Sequence, residues 1–312
     1  MQNLSAAIDC VAPIMVQFVI GYYIKTTKIV PEETFPHLCT ICFHVLLPLM
    51  MFNNIYSSHF EGAFSSELIL FLTAETLITF FIGCVLFFRI EKNNHLCGIY
   101  IQNLYRSNIA VVGIALIQNL TDKNGVSAMT LVITVLVPIY NVLAVVALET
   151  CRKKSVVLAE IIKSIVKSPM VFGSLVGFAF VLLHISLPPM IQKTIAMVGK
   201  AGSVMTLIAL GASFEFSKLS DNKNRLFRCV LTRLILVPAI VLFFAVKLGF
   251  SGSNLAVILV CAASPLATTV YPMARVYESD YELAGQLVVV TSMFCCFTLF
   301  FWIFICKQVA LF

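Results

Sequence analysis

Charge is scarce in this sequence. Only 12% of its 312 residues are Asp, Glu, Lys or Arg, 60% are hydrophobic, and the mean hydropathy is +0.98. A soluble globular domain carries about 25% charged residues, so this composition excludes one and marks an integral membrane protein. Several signatures are also missing. No GxxxxGK[ST] loop is present, so the chain shows no ATPase of its own, and neither HExxH nor GxSxG occurs to support an intramembrane hydrolase. The CTIC spacing at Cys39 and Cys42 has no second pair, which makes it a weak metal or redox signal. Most of the 11 cysteines fall in apolar stretches, where cysteine behaves as a small hydrophobe. No metal or other cofactor is expected. The first apolar stretch follows no basic segment, holds Asp9 near its start and is trailed by Lys25 and Lys28, the wrong polarity for a cleaved signal peptide.

What is there is a series of apolar runs. About 20 residues rising 1.5 Å each cross a core roughly 30 Å thick. By that measure ten stretches can span: 5–24, 36–54, 67–89, 98–120, 127–148, 169–184, 188–212, 226–248, 254–275 and 283–306. The odd-numbered connections between them hold fourteen of the 21 basic residues, and the even ones with the C-terminus hold only Lys123, Lys193, Lys247 and Lys307. The positive-inside rule then places the odd connections in the cytoplasm of a multi-pass cell-membrane protein, with both termini outside. The net charge of +6 follows from that asymmetry, and no nucleic-acid partner is implied.

Two of the runs are interrupted. GIYIQNLYRSNIAVVGIALIQNL, 98–120, carries Arg106, Ser107 and Asn108 at its middle; NLAVILVCAASPLATTVYPMAR, 254–275, carries Ser264 and Pro265, then Thr268 and Thr269. An arginine at mid-bilayer lies about 2.5–3.5 kcal/mol uphill, so it faces a cavity or a partner. Proline removes a backbone donor and clashes with the preceding turn, so the freed carbonyls need a polar setting. Broken helices at matching places in two halves point to a transporter's binding site.

The halves are 1–150 and 169–312. Between them the linker 151–168 sets Val157, Leu158, Ile161, Ile162, Ile165 and Val166 against Lys154, Lys163 and Lys167 at helical spacing, as in an amphipathic helix lying on the inner leaflet. Five spans on each side of it is an odd number, so the halves have opposite orientations and form an inverted repeat.

A set of segments in order then carries a family resemblance: VIGYYIKTTKIVPEETFPHLCTICFHVLLPLMMFNNI with Gly21 and Pro48, RSNIAVVGIAL with Asn108 and Gly113, VPIYNVLAVVAL with Pro138 and Asn141, KSPMVFGSLVGF, GKAGSVMTLIALGASF with Gly211, and SPLATTVYPMARVYESDYELAGQLVVVTS. Across essentially the whole chain they resemble the auxin efflux carrier family of membrane transporters, which includes plant auxin exporters and bacterial malate and malonate permeases. The resemblance implies an all-α membrane protein of ten helices in two inverted five-helix repeats. Spans 1, 2, 6 and 7 form a scaffold that often mediates homodimerisation. Spans 3–5 and 8–10 form a mobile transport domain, whose broken helices 4 and 9 cross at the substrate site and move by an elevator mechanism. Ala115 stands where the family commonly has proline, which leaves the sharpness of the fourth helix's break for the structure to decide.

On this reading the substrate is a small organic anion, a mono- or dicarboxylate, moved by secondary transport with a proton or sodium ion as coupling partner or with none. Arg106 suits a carboxylate with its fork of donors, or else pairs internally with an acidic residue. Asn108 binds substrate or caps freed backbone. Ser107, Ser264, Thr268 and Thr269 line the site or bond back to their own helices. Glu75 is the only carboxylate deep in the spans, and it either titrates and couples protons or neutralises Arg106. Asn141, Gln286, Thr291 and Ser292 complete the cavity or a cation site, or bond helix to helix. Arg228 and Arg233 read as anchors that snorkel to the interface, and Glu278, Asp280 and Glu282 as a solvated turn. A sensor that binds solute without moving it, or less readily an intramembrane enzyme, is the alternative.

Overall fold

A segment running through hydrocarbon must satisfy its own backbone N–H and C=O groups, and the apolar runs of this chain do so as helices. The computed structural model describes residues 2–58, 65–153, 158–309 and 311. Its helices are α1 Gln2–Thr26, α2 Thr34–Ile41, α3 Leu47–Tyr56, α4 Ser66–Ile90, α5 Asn94–Tyr105, α6 Ile114–Leu120, α7 Lys123–Lys153, α8 Leu158–Lys167, α9 Pro169–Leu182, α10 Pro189–Ser213, α11 Leu219–Leu231, α12 Val237–Lys247, α13 Gly252–Ala263, α14 Val270–Val276 and α15 Tyr281–Gln308. No strand occurs among the described residues, and extended pairing is limited to one bridge between Ser107 and Leu266.

Local chemistry sets several boundaries. Ser65, Asn93 and Asp280 cap α4, α5 and α15 by accepting from Leu68 N, His95 N and Leu283 N, and Pro169 and Pro189 open α9 and α10, where a missing N–H costs nothing. Two π-helical turns, Cys42–Leu46 and Thr232–Leu236, stand just ahead of Pro48 and Pro238 and carry the chain past each proline without ending the rod.

Among the described residues, six rods are long and apolar enough to cross a membrane: Thr34–Tyr56, Ser66–Ile90, Lys123–Arg152, Pro189–Ser213, Phe216–Lys247 and Tyr281–Gln308. The bent pair Ala159–Lys167 and Pro169–Leu182, at 70°, makes up to seven. The breaks at 106–108 and 264–269 cut two of the ten expected spans into halves too short to cross alone. In the linker helix α8, Ile161 is buried while Ile162 and Val166 are exposed beside Lys163 and Lys167. Val157 and Lys154 of the same pattern lie outside the described residues.

α1 packs on α10, α10 on α3 and α3 on α9, while α4, α5 and α7 pack together and α13 joins α7, α12 and α15; α1 also lies against α15, and α3 and α9 touch α7. The α1–α10 crossing depends on two glycines. A Cβ on Gly21 would stand 2.0 Å from the Ile208 carbonyl oxygen, and one on Gly211 would stand 2.0 Å from that of Phe18. Only a bare Cα lets the two backbones come this close.

Candidate functional site

The two breaks meet. α5 stops at Tyr105, with Arg106 extended (φ −86°, ψ 92°), and α13 stops at Ala263, with Ser264 extended (φ −65°, ψ 151°), the conformation a following proline imposes. Asn108 N donates to the Pro265 carbonyl at 2.9 Å and Ala267 N to the Arg106 carbonyl at 3.2 Å, so each break satisfies backbone groups freed by the other. Leu266 N donates to Thr291 Oγ1 at 3.1 Å, and Ser107 Oγ to the Cys261 carbonyl at 2.5 Å. The break in the fourth apolar run is complete although Ala115 replaces proline. The chain re-enters the helix through a π-helical turn, Ile109–Gly113.

Arg106 is 1% exposed at this crossing. Its Nη1 donates to Gln102 Oε1 at 2.6 Å and to Met273 Sδ at 3.0 Å, and its Nη2 to Asn141 Oδ1 at 2.7 Å and Thr269 Oγ1 at 2.9 Å. Every one of these partners is neutral. Asn141 in turn donates to Met51 Sδ of α3 at 3.2 Å. Beside them lies a cavity of about 20 Å³ lined by Arg106, Asn108, Asn141, Thr268, Met50 and Met51 among others. That is room for a single water. Asn108 Nδ2 is buried here with no hydrogen-bond partner, a donor left open in a site where such groups are normally paired.

Arg233 corrects the sequence reading. It is not a snorkelling anchor: it is 1% exposed and stands on the π-helical turn before Pro238. Its Nη1 donates to the Leu104 carbonyl at 2.9 Å, Nε and Nη2 to the Ser264 carbonyl at 3.1 and 3.0 Å, and Nη2 also to Ser107 Oγ. One guanidinium thus holds the carboxyl ends of α5 and α13, where unsatisfied carbonyls and helix dipoles favour a cation. Arg228, by contrast, is exposed as expected of an anchor.

Glu75 does not neutralise Arg106, whose partners are the four neutral groups above. The cation whose charge acts on Glu75 is Arg233, and the near neighbour of its carboxylate is Thr76 Oγ1 at 3.4 Å. Of the two buried guanidinium groups, Arg233 has this carboxylate acting on it and Arg106 has none among the described residues.

The other expected residues divide. Ser107, Asn108, Asn141, Thr268 and Thr269 reach the cavity at Arg106. Ser264 bonds back to the Val260 carbonyl at 2.6 Å and serves through its own carbonyl, as Pro265 does. Gln286 accepts from Asn222 Nδ2 at 2.9 Å and lines a different cavity with Tyr281 and Glu282. Thr291 supports the Leu266 backbone, and Ser292 Oγ is buried without a partner. Gln102 and Met273, which sequence reasoning missed, lie one helical turn from Arg106 and Thr269, and that spacing was the signal that could have found them.

A family model described as "Membrane transport protein" matches residues 6–303. Among curated proteins the chain is similar to auxin efflux carrier component 3a of Oryza sativa subsp. japonica, 24% identical over 139 residues, which is 43% of this chain and 22% of that protein. It is also similar to auxin efflux carrier component 3 of Arabidopsis thaliana, 26% identical over 128 residues, 39% of this chain and 20% of that protein. The matched segments thus span about a fifth of these relatives' own length.

Proposed function

The chain belongs to the membrane transport protein family, which includes the auxin efflux carriers, and on that premise we propose that it is a secondary transporter for a small organic anion, a mono- or dicarboxylate, bound at the crossing of its two broken helices. The observation that carries this reading is the coordination of Arg106. A guanidinium taken out of water costs several kcal/mol unless an opposite charge repays it. Arg106 has only amide, hydroxyl and thioether partners, and Asn108, whose Nδ2 is buried without a partner, lines the same cavity. A carboxylate supplies both the missing charge and the missing acceptor.

A ten-span inverted repeat, part of this proposal, would give this site a mechanism. In the proposed arrangement α1, α3, α9 and α10 belong to the fixed scaffold of a homodimer in the cell membrane, with both chain ends outside and the linker 151–168 cytoplasmic. The helices carrying Arg106, Asn141 and Thr269 belong to the moving domain. The cavity supports this division because one wall, Met50 and Met51, comes from α3 and the rest from the other group. At about 20 Å³ it is closed to a carboxylic acid, so binding has to part the two walls, and that same parting starts an elevator stroke. Glu75, opposed by Arg233, is the proposed carrier of a coupled proton.

The test is counterflow of labelled malate, malonate, lactate and an indole acid in proteoliposomes holding the purified protein, with and without an imposed pH gradient. Exchange of one of them is expected. Binding of an acid without any exchange would replace the carrier by a sensor, and failure of all acids to bind would end the anion reading.

A further inference from the structure

A second cavity, of about 290 Å³, opens between the end of α4, the middle of α5 and α11. It is far roomier than the site at Arg106, and it lies at the end of the bundle that carries Arg89, Lys92, Lys223, Arg225 and Arg228, the end the charge count assigns to the cytoplasm. Arg225 and Arg228 line it from one face of α11, three residues apart. Arg225 Nη1 donates to Asn222 Oδ1 at 3.0 Å, and among the described residues the Arg228 guanidinium has no hydrogen bond or ion pair. One carboxylate, Glu91, is also on the wall, with Oε1 taken by Asn93 N at 2.9 Å. The lining therefore keeps a net positive charge.

The inner end of the cavity asks for something more specific than a negative charge. Asn103 lines the cavity at 2% exposure; its Nδ2 donates to the Cys229 carbonyl at 3.1 Å, which fixes the amide's orientation, and its Oδ1 is buried without a partner. That oxygen requires a donor. A ligand that satisfies both ends is a phosphate ester with a free hydroxyl. Its phosphate meets the arginine forks, and its hydroxyl meets Asn103. Ile90, on the wall, is 71% exposed, and along α11 beside Arg228 the apolar Phe227 and Leu231 are 69% and 47% exposed. These are surfaces for acyl chains, not for a soluble ester.

We propose that this cavity binds the hydroxyl-bearing phosphodiester headgroup of an anionic phospholipid, which ties α11 to α4 and α5 from the cytoplasmic leaflet. The proposal is independent of the anion site at Arg106.

The experiment is native mass spectrometry of the full chain released from membranes containing equal phosphatidylglycerol, phosphatidic acid and phosphatidylcholine. The wild type retains phosphatidylglycerol above the other two. Arg225→Gln with Arg228→Gln, both at exposed positions, lowers retention of both anionic lipids about tenfold while the protein keeps its elution volume and melting temperature in neutral detergent. Asn103→Leu keeps the preference for anionic lipid but levels phosphatidylglycerol with phosphatidic acid. Retention of all three lipids alike, or an unchanged profile in the double arginine variant, would overturn the proposal. Displacement of phosphatidylglycerol by millimolar glycerol 3-phosphate, with equal stabilisation of lipid-free protein, would overturn the lipid as the source of the ligand.

Discussion

Arg106 Nη2 lies 2.7 Å from Asn141 Oδ1, so a neutral amide stands where a buried guanidinium ordinarily has a carboxylate. Asn141→Asp supplies that carboxylate from within. The variant is expected to fold at least as stably as the wild type and to bind the transported acid about tenfold more weakly or worse, because the internal carboxylate takes the place of the ligand's. Ligand-induced shifts of the melting temperature, compared across the two proteins, check this. Equal affinity would show that the charge of Arg106 is not what the ligand answers.

Arg233 has a structural duty distinct from that of Arg106. Arg233→Met leaves the Leu104 and Ser264 carbonyls without their donor and Glu75 without its counter-charge, and should destabilise the protein by about 3 kcal/mol. Arg233→Lys restores one charge but cannot reach both carbonyls in a fork, so it should recover only part of the loss. Thermal unfolding in detergent, followed for both variants, distinguishes this from a surface anchor, whose removal would change little.

Glu75→Gln separates coupling from binding. Exchange of the substrate at equal pH on both sides should persist, and its acceleration by a pH gradient should disappear. A gradient response equal to that of the wild type would remove Glu75 from the coupling path.

At the α1–α10 crossing, Gly21→Val places a side chain on the carbonyl of Ile208. Overpacking of this kind costs about 1–3 kcal/mol. The melting temperature should fall, while affinity for the acid measured on the folded fraction stays unchanged, since neither helix contributes to the cavity at Arg106.

The sequence made the crossing legible because both interruptions are chemically loud: a charge and an amide in one apolar run, a proline between hydroxyls in the other. Which groups they touch was not legible. Arg233 sits in the segment RLFRCVLTRLIL among other basic residues, and at the end of an apolar run that context fits a snorkelling anchor as well as a clamp. Its role follows from the rotation of α11 and α12 about their axis, which no local pattern specifies. For Gln286 the sequence left two roles open, cavity lining and a helix-to-helix bond, and the structure shows the second. Gln286 is a polar residue at an inward position of α15, but the segment packed against it brings Asn222 and not the cavity. Glu75 was visible as a lone carboxylate, whereas its partner arginine, 158 positions away in the chain by the residue numbers, depended on the fold.

The central claim is that Arg106 and Asn108 hold a carboxylate at the helix crossing. Its most direct measurement is equilibrium binding of the exchanged acid, by titration calorimetry, to purified wild type and Arg106→Gln with both proteins verified as folded. Loss of measurable binding in the variant is the result expected here. Undiminished affinity in a folded Arg106→Gln protein would contradict the account and move the anion site elsewhere.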